Sequence, residues 1–322
     1  MAGMGSIYSF SMSAPQPPTL DSQAAHRWAS RRIESSPWLH NEVARRMVER
    51  LQWVIQKPER WIHWEPLRSG LCAQDLIAQA YPKASCLVRV AHPESLSYLQ
   101  QLWRAPWWHP KRWIASWSSS VTLAYGKQPP HDWAQMLWAN MSLHLVADPA
   151  ALIRDWHSAL SEDGFLMFSC LGPDTLRELR QLYQDLGWPA PAHEFTDMHD
   201  WGDMLVQAGF AEPVMDMERI ELTFETPERL LQELRELGRN FHIKRFGSLR
   251  GRRWLRQLHD ALGQQLRRSG EETESGLRLT FEIVYGHAFK PTPKIRMSQK
   301  TEVPMQDLKS MLRRNKPASP KP

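Results

Sequence analysis

From residue 133 onward, short apolar runs alternate with amphipathic segments of ten residues or more. This restricts the chain to an α/β fold, a mostly parallel sheet with helices on both faces. Residues 133–138 and 165–170 read as buried strands. Between them 149–160 reads as a helix, with Asp148 as its cap and Pro149 at the first helical position, where the missing N–H is not needed. Residues 173–186 and 196–208 are the next helices; Thr196 or Asp197 caps the second and Gly209 stops it. Strands at 214–224 and 277–289 follow. Arginine-rich helices over 227–266 lie between them, so the last two strands form a closing antiparallel pair. Upstream, Leu39, Val43, Met47, Leu51 and Val54 recur at three and four, the spacing of one helix face, within a helix over 38–55 that Pro58 ends. Residues 71–80 and 93–102 are further helices and 86–90 a buried strand. The stretch 61–70 is apolar at its start and broken by Pro66.

Charge is distributed unevenly. Residues 291–322 hold eight basic side chains against Glu302 and Asp307, a net +6 in a proline-rich tail. The remaining 290 residues carry 32 basic and 33 acidic groups, so the overall +5 belongs to the tail and not to a nucleic-acid-binding body. The composition expects a loose tail over 1–22, a folded domain over 23–290 and a disordered basic tail over 291–322. No run approaches the ~18 apolar residues of a membrane helix. Cys72, Cys86 and Cys170 lie far apart and are odd in number, which suits a reducing compartment. The first 20 residues lack both Lys and Arg and fit neither a secretory nor a mitochondrial leader. The expected location is the cytoplasm.

Several stretches carry a family likeness: Trp138-Ala139-Asn140-Met141-Ser142-Leu143-His144 at a strand end, Gly164-Phe165-Leu166-Met167-Phe168-Ser169 as a strand, and Gly172-Pro173-Asp174-Thr175-Leu176-Arg177-Glu178-Leu179 after it. Phe195-Thr196-Asp197-Met198, Gly202 and Ala208-Gly209-Phe210 continue it. In these the chain resembles the class I S-adenosylmethionine-dependent methyltransferases, and within them the malonyl-acyl-carrier-protein O-methyltransferase (BioC) branch of biotin synthesis. The resemblance implies a Rossmann-like sheet with an antiparallel last strand, a helical lid inserted over 227–270, and S-adenosylmethionine as cofactor.

The same resemblance locates a departure. After the first strand the family pattern calls for glycines, because a Cβ there takes cofactor space or forbids the backbone angles. This chain reads Glu65-Pro66-Leu67-Arg68-Ser69-Gly70. The acid that grips the ribose at the end of the second strand is replaced by Val90-Ala91-His92, and no acid stands near Ala124-Tyr125 for the adenine. Glu65, Gly70, His92 and Asn140 are the cofactor-binding candidates that remain. Each lost contact costs on the order of 1–3 kcal/mol, against about 8 kcal/mol for micromolar binding. Ten of the sixteen tryptophans fall between Trp53 and Trp138. They read either as fillers of the old cofactor space or as ordinary core and lid residues.

For substrate or partner, Asp174 follows a strand end, and Arg239, Arg245 and Arg252 belong to a basic stretch interleaved with Phe241, Phe246 and Trp254. Arginine pairs bidentately with carboxylate and phosphate, so this lid suits an acidic carrier protein or another acidic protein; a solvated helix face is the alternative. Glu194, Asp197, His199, Asp200 and Asp203 read as cap and first-turn acids more than as a metal site. No Ser or Cys stands at a catalytic spacing from His63, His131 or His144, so no catalytic side chain is assigned. Two functions stay open: carboxyl O-methylation of a carrier-linked or small acid, and a catalytically silent methyltransferase fold serving as a binding or assembly module.

Overall fold

The central strands are buried along nearly their whole length, and successive side chains alternate between two cores on opposite faces of one sheet. On the strand Ala134–Ala139, Met136 and Trp138 enter one core, and Ala134, Leu137 and Ala139 the other. On Leu160–Leu171, Phe165 and Met167 face one way, Leu166 and Phe168 the other. The computed structural model describes residues 20–31, 33, 35–103, 121–126, 128–266 and 276–292.

The strands are β1 (Arg60–Trp64), β2 (Ser85–Val90), β3 (Val121–Tyr125), β4 (Ala134–Ala139), β5 (Leu160–Leu171), β6 (Ala211–Phe224) and β7 (Leu277–Phe289). They form one sheet in the order β3-β2-β1-β4-β5-β7-β6. The pairs from β3 to β5 are parallel, and β7 runs antiparallel to both β5 and β6. The expected α/β class, with its antiparallel last strand, is therefore observed.

The helices are α1 (Ser22–Ala29), α2 (Trp38–Arg50), α3 (Pro66–Ser69, a single turn), α4 (Cys72–Ala80), α5 (Pro93–Leu102), α6 (Pro149–Ala159), α7 (Arg177–Asp185), α8 (Met198–Gln207), α9 (Pro227–Leu237) and α10 (Arg252–Gln265). Asp148 caps α6 through the Ala151 amide, and Asp197 caps α8 through that of His199. Two sequence readings change. The helix expected over 173–186 starts only at Arg177, because Leu176 takes a left-handed φ of 61° and Thr175 is tied to the β7 backbone at Glu282. Residues expected to be a loose tail up to 22 include the start of α1, with Asp21 accepting from the Gln23 and Ala24 amides. Residues 293–322, where the basic tail was expected, lie outside the described residues. Among the described residues no helix is long and apolar enough to cross a membrane.

One glycine is demanded by close packing. Gly286 on β7 lies opposite Phe168 on β5, and a Cβ there would come within 2.1 Å of the Phe168 ring. That ring is fully buried and has nowhere to retreat. Gly286→Ala is expected to cost about 1–3 kcal/mol by overpacking, read as a lower urea midpoint; an unchanged midpoint would show that the ring yields freely.

Candidate cofactor and partner site

In an open α/β sheet, ligands gather beyond the carboxyl ends of the strands, at the point where strand order reverses. Here that point lies between β1 and β4, so the loops after them (65–70 and 140–145) and the end of β2 define the crevice.

The β1 loop is tightly built. Glu65 has a left-handed φ of 51°, Pro66 opens the single turn α3, and Gly70 closes it with φ 101°. A Cβ on Gly70 would stand 2.7 Å from the His40 carbonyl oxygen, so this glycine serves a close approach to α2 and leaves no cradle for a ligand. Pro66, Leu67 and Ser69 are buried. Glu65 pairs with Arg89 Nη1 at 2.7 Å, and that guanidinium lies 4.2 Å from the Trp64 ring centre. Burial pushes the Glu65 carboxyl up, and Arg89 partly offsets this.

Asn140 stitches the crevice at the switch point. Its amide nitrogen donates to the His40 carbonyl at 2.8 Å and to that of Ser69, and its oxygen accepts from Ser169 Oγ at 2.6 Å. Its hydrogen-bonding groups are thus committed to α2, the β1 loop and β5. At the end of β2, His92 Nε2 donates to the Ala29 carbonyl at 2.7 Å. Arg68 Nη2 donates to three carbonyls of the same segment, those of Trp28, Ala29 and Arg31. The space over β1 and β2 is occupied by the chain's own backbone. These residues do not fit S-adenosylmethionine in the described arrangement: the carboxylate that reaches the β2 end, that of Glu65, is paired with Arg89, no glycine cradle is open, and Arg68 and His92 are engaged elsewhere.

Of the tryptophans between Trp53 and Trp138, those on the strands are not what fills this space. Trp61, Trp64 and Trp138 sit on strands and belong to the two cores, and Trp53 is exposed, because alternating strand positions send their rings to the sheet faces and not past the strand ends. Trp107, Trp108, Trp113 and Trp117 lie outside the described residues. The segment 28–31 and Arg68 were not read as site elements. The available signal was an arginine within a loop expected to be small, followed across the fold by a helix end with free carbonyls.

Three buried imidazoles lie beside the crevice. His40 Nδ1 donates to the Arg68 carbonyl at 2.5 Å, His193 Nε2 donates to the His144 carbonyl at 3.0 Å, and His144 accepts from the Leu171 amide. Burial lowers His40 and His193 to about 4 and His144 well below its ordinary value. His63, also lowered to about 4 by burial, stacks on Trp61 and bonds Gln74 at 2.9 Å. All four are neutral fold elements. Among the described residues no cluster of His, Cys, Asp or Glu is arranged to hold a metal.

The partner candidates separate. Asp174 pairs with Arg219 at 2.6 Å on the surface. Arg239 lies 5.2 Å over the Trp28 ring, and Arg245 pairs with Asp21 at 2.7 Å. Arg252 opens α10 and is exposed, beside exposed Arg253. Arg250 is boxed by Trp254, Phe246, Trp188 and Tyr183, with its guanidinium 4.1–5.9 Å from their ring centres. Next to it lies a cavity of about 260 Å³ lined by Tyr183, Asn240, Arg245, Phe246, Arg250 and Trp254. Ile243, Phe246 and Leu249 are exposed on the same loop. The insertion between β6 and β7 therefore presents a surface both basic and apolar.

No family model matches the chain. It is 35% identical over 288 residues to the malonyl-[acyl-carrier protein] O-methyltransferase of Gallionella capsiferriformans, covering 86% of this chain and 93% of that protein. It is 33% identical over 267 residues to the protein of the same name from Nitrosospira multiformis, covering 80% and 84%. The crystal structure of the YcgJ protein of Bacillus subtilis superposes with a TM-score of 0.50 at 11% identity, covering 78% of this chain and 99% of that one, a likeness of fold. Similarity that runs through almost the whole length of the relatives, on the strand order described above, leads to one assignment: the chain belongs to the malonyl-[acyl-carrier protein] O-methyltransferase family.

Proposed function

We propose that this protein is a carboxyl O-methyltransferase that esterifies the free carboxylate of a malonyl group borne on an acidic carrier protein, with S-adenosylmethionine as methyl donor. The observation that carries the reading is the 35% identity to a malonyl-[acyl-carrier protein] O-methyltransferase across 93% of its length. Nothing among the relatives favours the silent-module alternative. A carboxylate is nucleophilic without a base, so its methylation calls on no proton-accepting side chain. This agrees with the neutral, buried histidines, none of which is needed to take a proton.

The lid supports the partner class. Arg252 and Arg253 are exposed and Arg245 and Arg250 line the cavity, a set suited to an acidic protein and to the phosphate of a carrier's prosthetic arm. The exposed Phe246 and Leu249 add apolar contact. The test is incubation of the full chain with malonyl-loaded carrier protein and S-adenosylmethionine, followed by mass spectrometry of the carrier. Gain of one methyl group on the malonyl carboxylate is expected; unmodified carrier at saturating donor would sink the reading. Reversing rim charges in Arg252→Glu/Arg253→Glu is expected to raise KM for the carrier roughly tenfold and flatten its salt dependence. An unchanged KM would place docking elsewhere.

A further inference from the structure

The first turn of α10 borders the cavity in the insertion between β6 and β7: Arg250 lines it just before the helix, and Trp254 lines it from within that turn. Gly251 stands at the cap with a φ of −79°, which any residue adopts, and no side chain accepts from the first amides. A Cβ on Gly251 would meet nothing within 4 Å, so the start of the helix is open. Free amides at the positive end of a helix dipole favour an anion. The surrounding charge is one-sided, since residues 243–259 contain six lysines and arginines and no acid. On the cavity wall Arg245 is answered by Asp21 at 2.7 Å. Arg250 has no carboxylate partner among the described residues; four aromatic rings surround it, with Trp254 at 4.1 Å and Phe246 at 4.7 Å. Rings attract the charge without offering an oxygen, so the guanidinium N–H groups have hydrogen bonds left to give.

We propose that this cavity is a phosphate-ester site: the opening amides of α10 and the Arg250 guanidinium take the phosphate, and Tyr183, Phe246 and Trp254 flank the chain attached to it. For the identity of the ester the inference rests on the methyltransferase reading, which makes it the phosphodiester of the carrier's prosthetic arm. The volume, about 260 Å³, is just under that of sites enclosing a drug-sized molecule, so it takes a phosphate and a short length of chain. Carboxylates on the carrier's own surface meet the exposed Arg252 and Arg253 instead. Rim and cavity thus divide the partner between them, and a carrier lacking its arm engages the rim alone.

The test is titration calorimetry of 4′-phosphopantetheine, pantetheine and inorganic phosphate into the full chain and two variants. Arg250→Gln removes the charge. Gly251→Asp supplies a cap that accepts the first amides, so it is expected to hold or raise the melting midpoint while taking donors from the phosphate, and it serves if the first variant folds poorly. The unaltered chain is expected to bind 4′-phosphopantetheine at least tenfold more tightly than either pantetheine or inorganic phosphate, and each variant to lose at least tenfold toward 4′-phosphopantetheine alone. Equal affinity for 4′-phosphopantetheine and pantetheine, or no binding of either, would overturn the site. Inorganic phosphate bound as tightly as 4′-phosphopantetheine would overturn the arm as its ligand. The reaction is judged separately by methylated carrier. Product from the unaltered chain without phosphate-dependent binding removes the site and keeps the activity; phosphate-dependent binding that both variants lose, without product, does the reverse.

Discussion

Trp156→Ala is expected to lower stability by about 3–5 kcal/mol, the range for emptying a large aromatic site in a core that cannot collapse around it. The Trp156 ring is fully buried on α6, with Trp64 of β1 edge-on at 5.9 Å and Phe168 of β5 tilted at 6.4 Å. The indole joins β1 to the consecutive elements α6 and β5, so its loss loosens the packing of that face of the sheet. The indole N–H has no hydrogen-bond partner, so it contributes nothing polar to set against its desolvation. Trp156→Phe keeps a ring and removes that donor, and is expected to cost less than about 1.5 kcal/mol. Urea unfolding followed by circular dichroism separates the two. Equal losses for both variants would mean that the site depends on the indole's full volume and not on an aromatic ring as such.

Acid is expected to unfold the protein well above the pH at which ordinary carboxylates titrate. His40, His63 and His193 sit near 4 in the fold against an ordinary 6.5, in each case because burial penalises the charged ring. Between those values the unfolded chain takes up protons that the fold refuses, so stability is complete above about 6.5 and falls as pH drops toward 4. Each ring contributes about 1.4 kcal/mol per pH unit and the three together about 4 kcal/mol per unit, against a total stability on the order of 5–15 kcal/mol. Glu65 and Glu282, whose carboxyls burial raises, bind protons in the fold and offset part of this. The check is urea unfolding at pH 7 and pH 5.5, where the midpoint drops sharply. His144, lowered further still, adds a similar share, so His63→Gln is expected to remove about a quarter of the pH slope. A midpoint indifferent to pH in this range would mean that the rings are charged or solvated in the fold.

Where backbone preference and burial pattern agreed, the fold was readable. Asp148-Pro149 and Asp197 mark helix starts by capping chemistry alone, and residues 165–170 are apolar enough to be a buried strand in any context. The start of α7 was not readable, because the turn at 173–176 is set by Thr175 bonding Glu282 107 positions away. Helix α1 escaped for a similar reason: its Ala and Ser residues carry little pattern, and its hold comes from Arg68, His92 and Arg245 in distant loops. At the crevice, the loss of glycines and of a ribose-binding acid was plain in residues 65–70 and 90–92. What replaced them was not, since Arg68 and His92 bind backbone carbonyls, which every residue possesses and no sequence singles out.

The outermost strand bears on how copies of this protein behave together. β6 spans fourteen residues and, among the described residues, pairs with β7 on one side only. Its start carries Pro213 beside a register break, and Asp216, Glu218 and Glu221 along its length, two of them paired to Arg50 and Arg46 of α2. A missing amide, a kink and a row of negative charge are what discourage a foreign strand from adding to a sheet. The long free margin is thus guarded against edge-to-edge aggregation, and concentrated solutions are expected to resist sheet-mediated clumping.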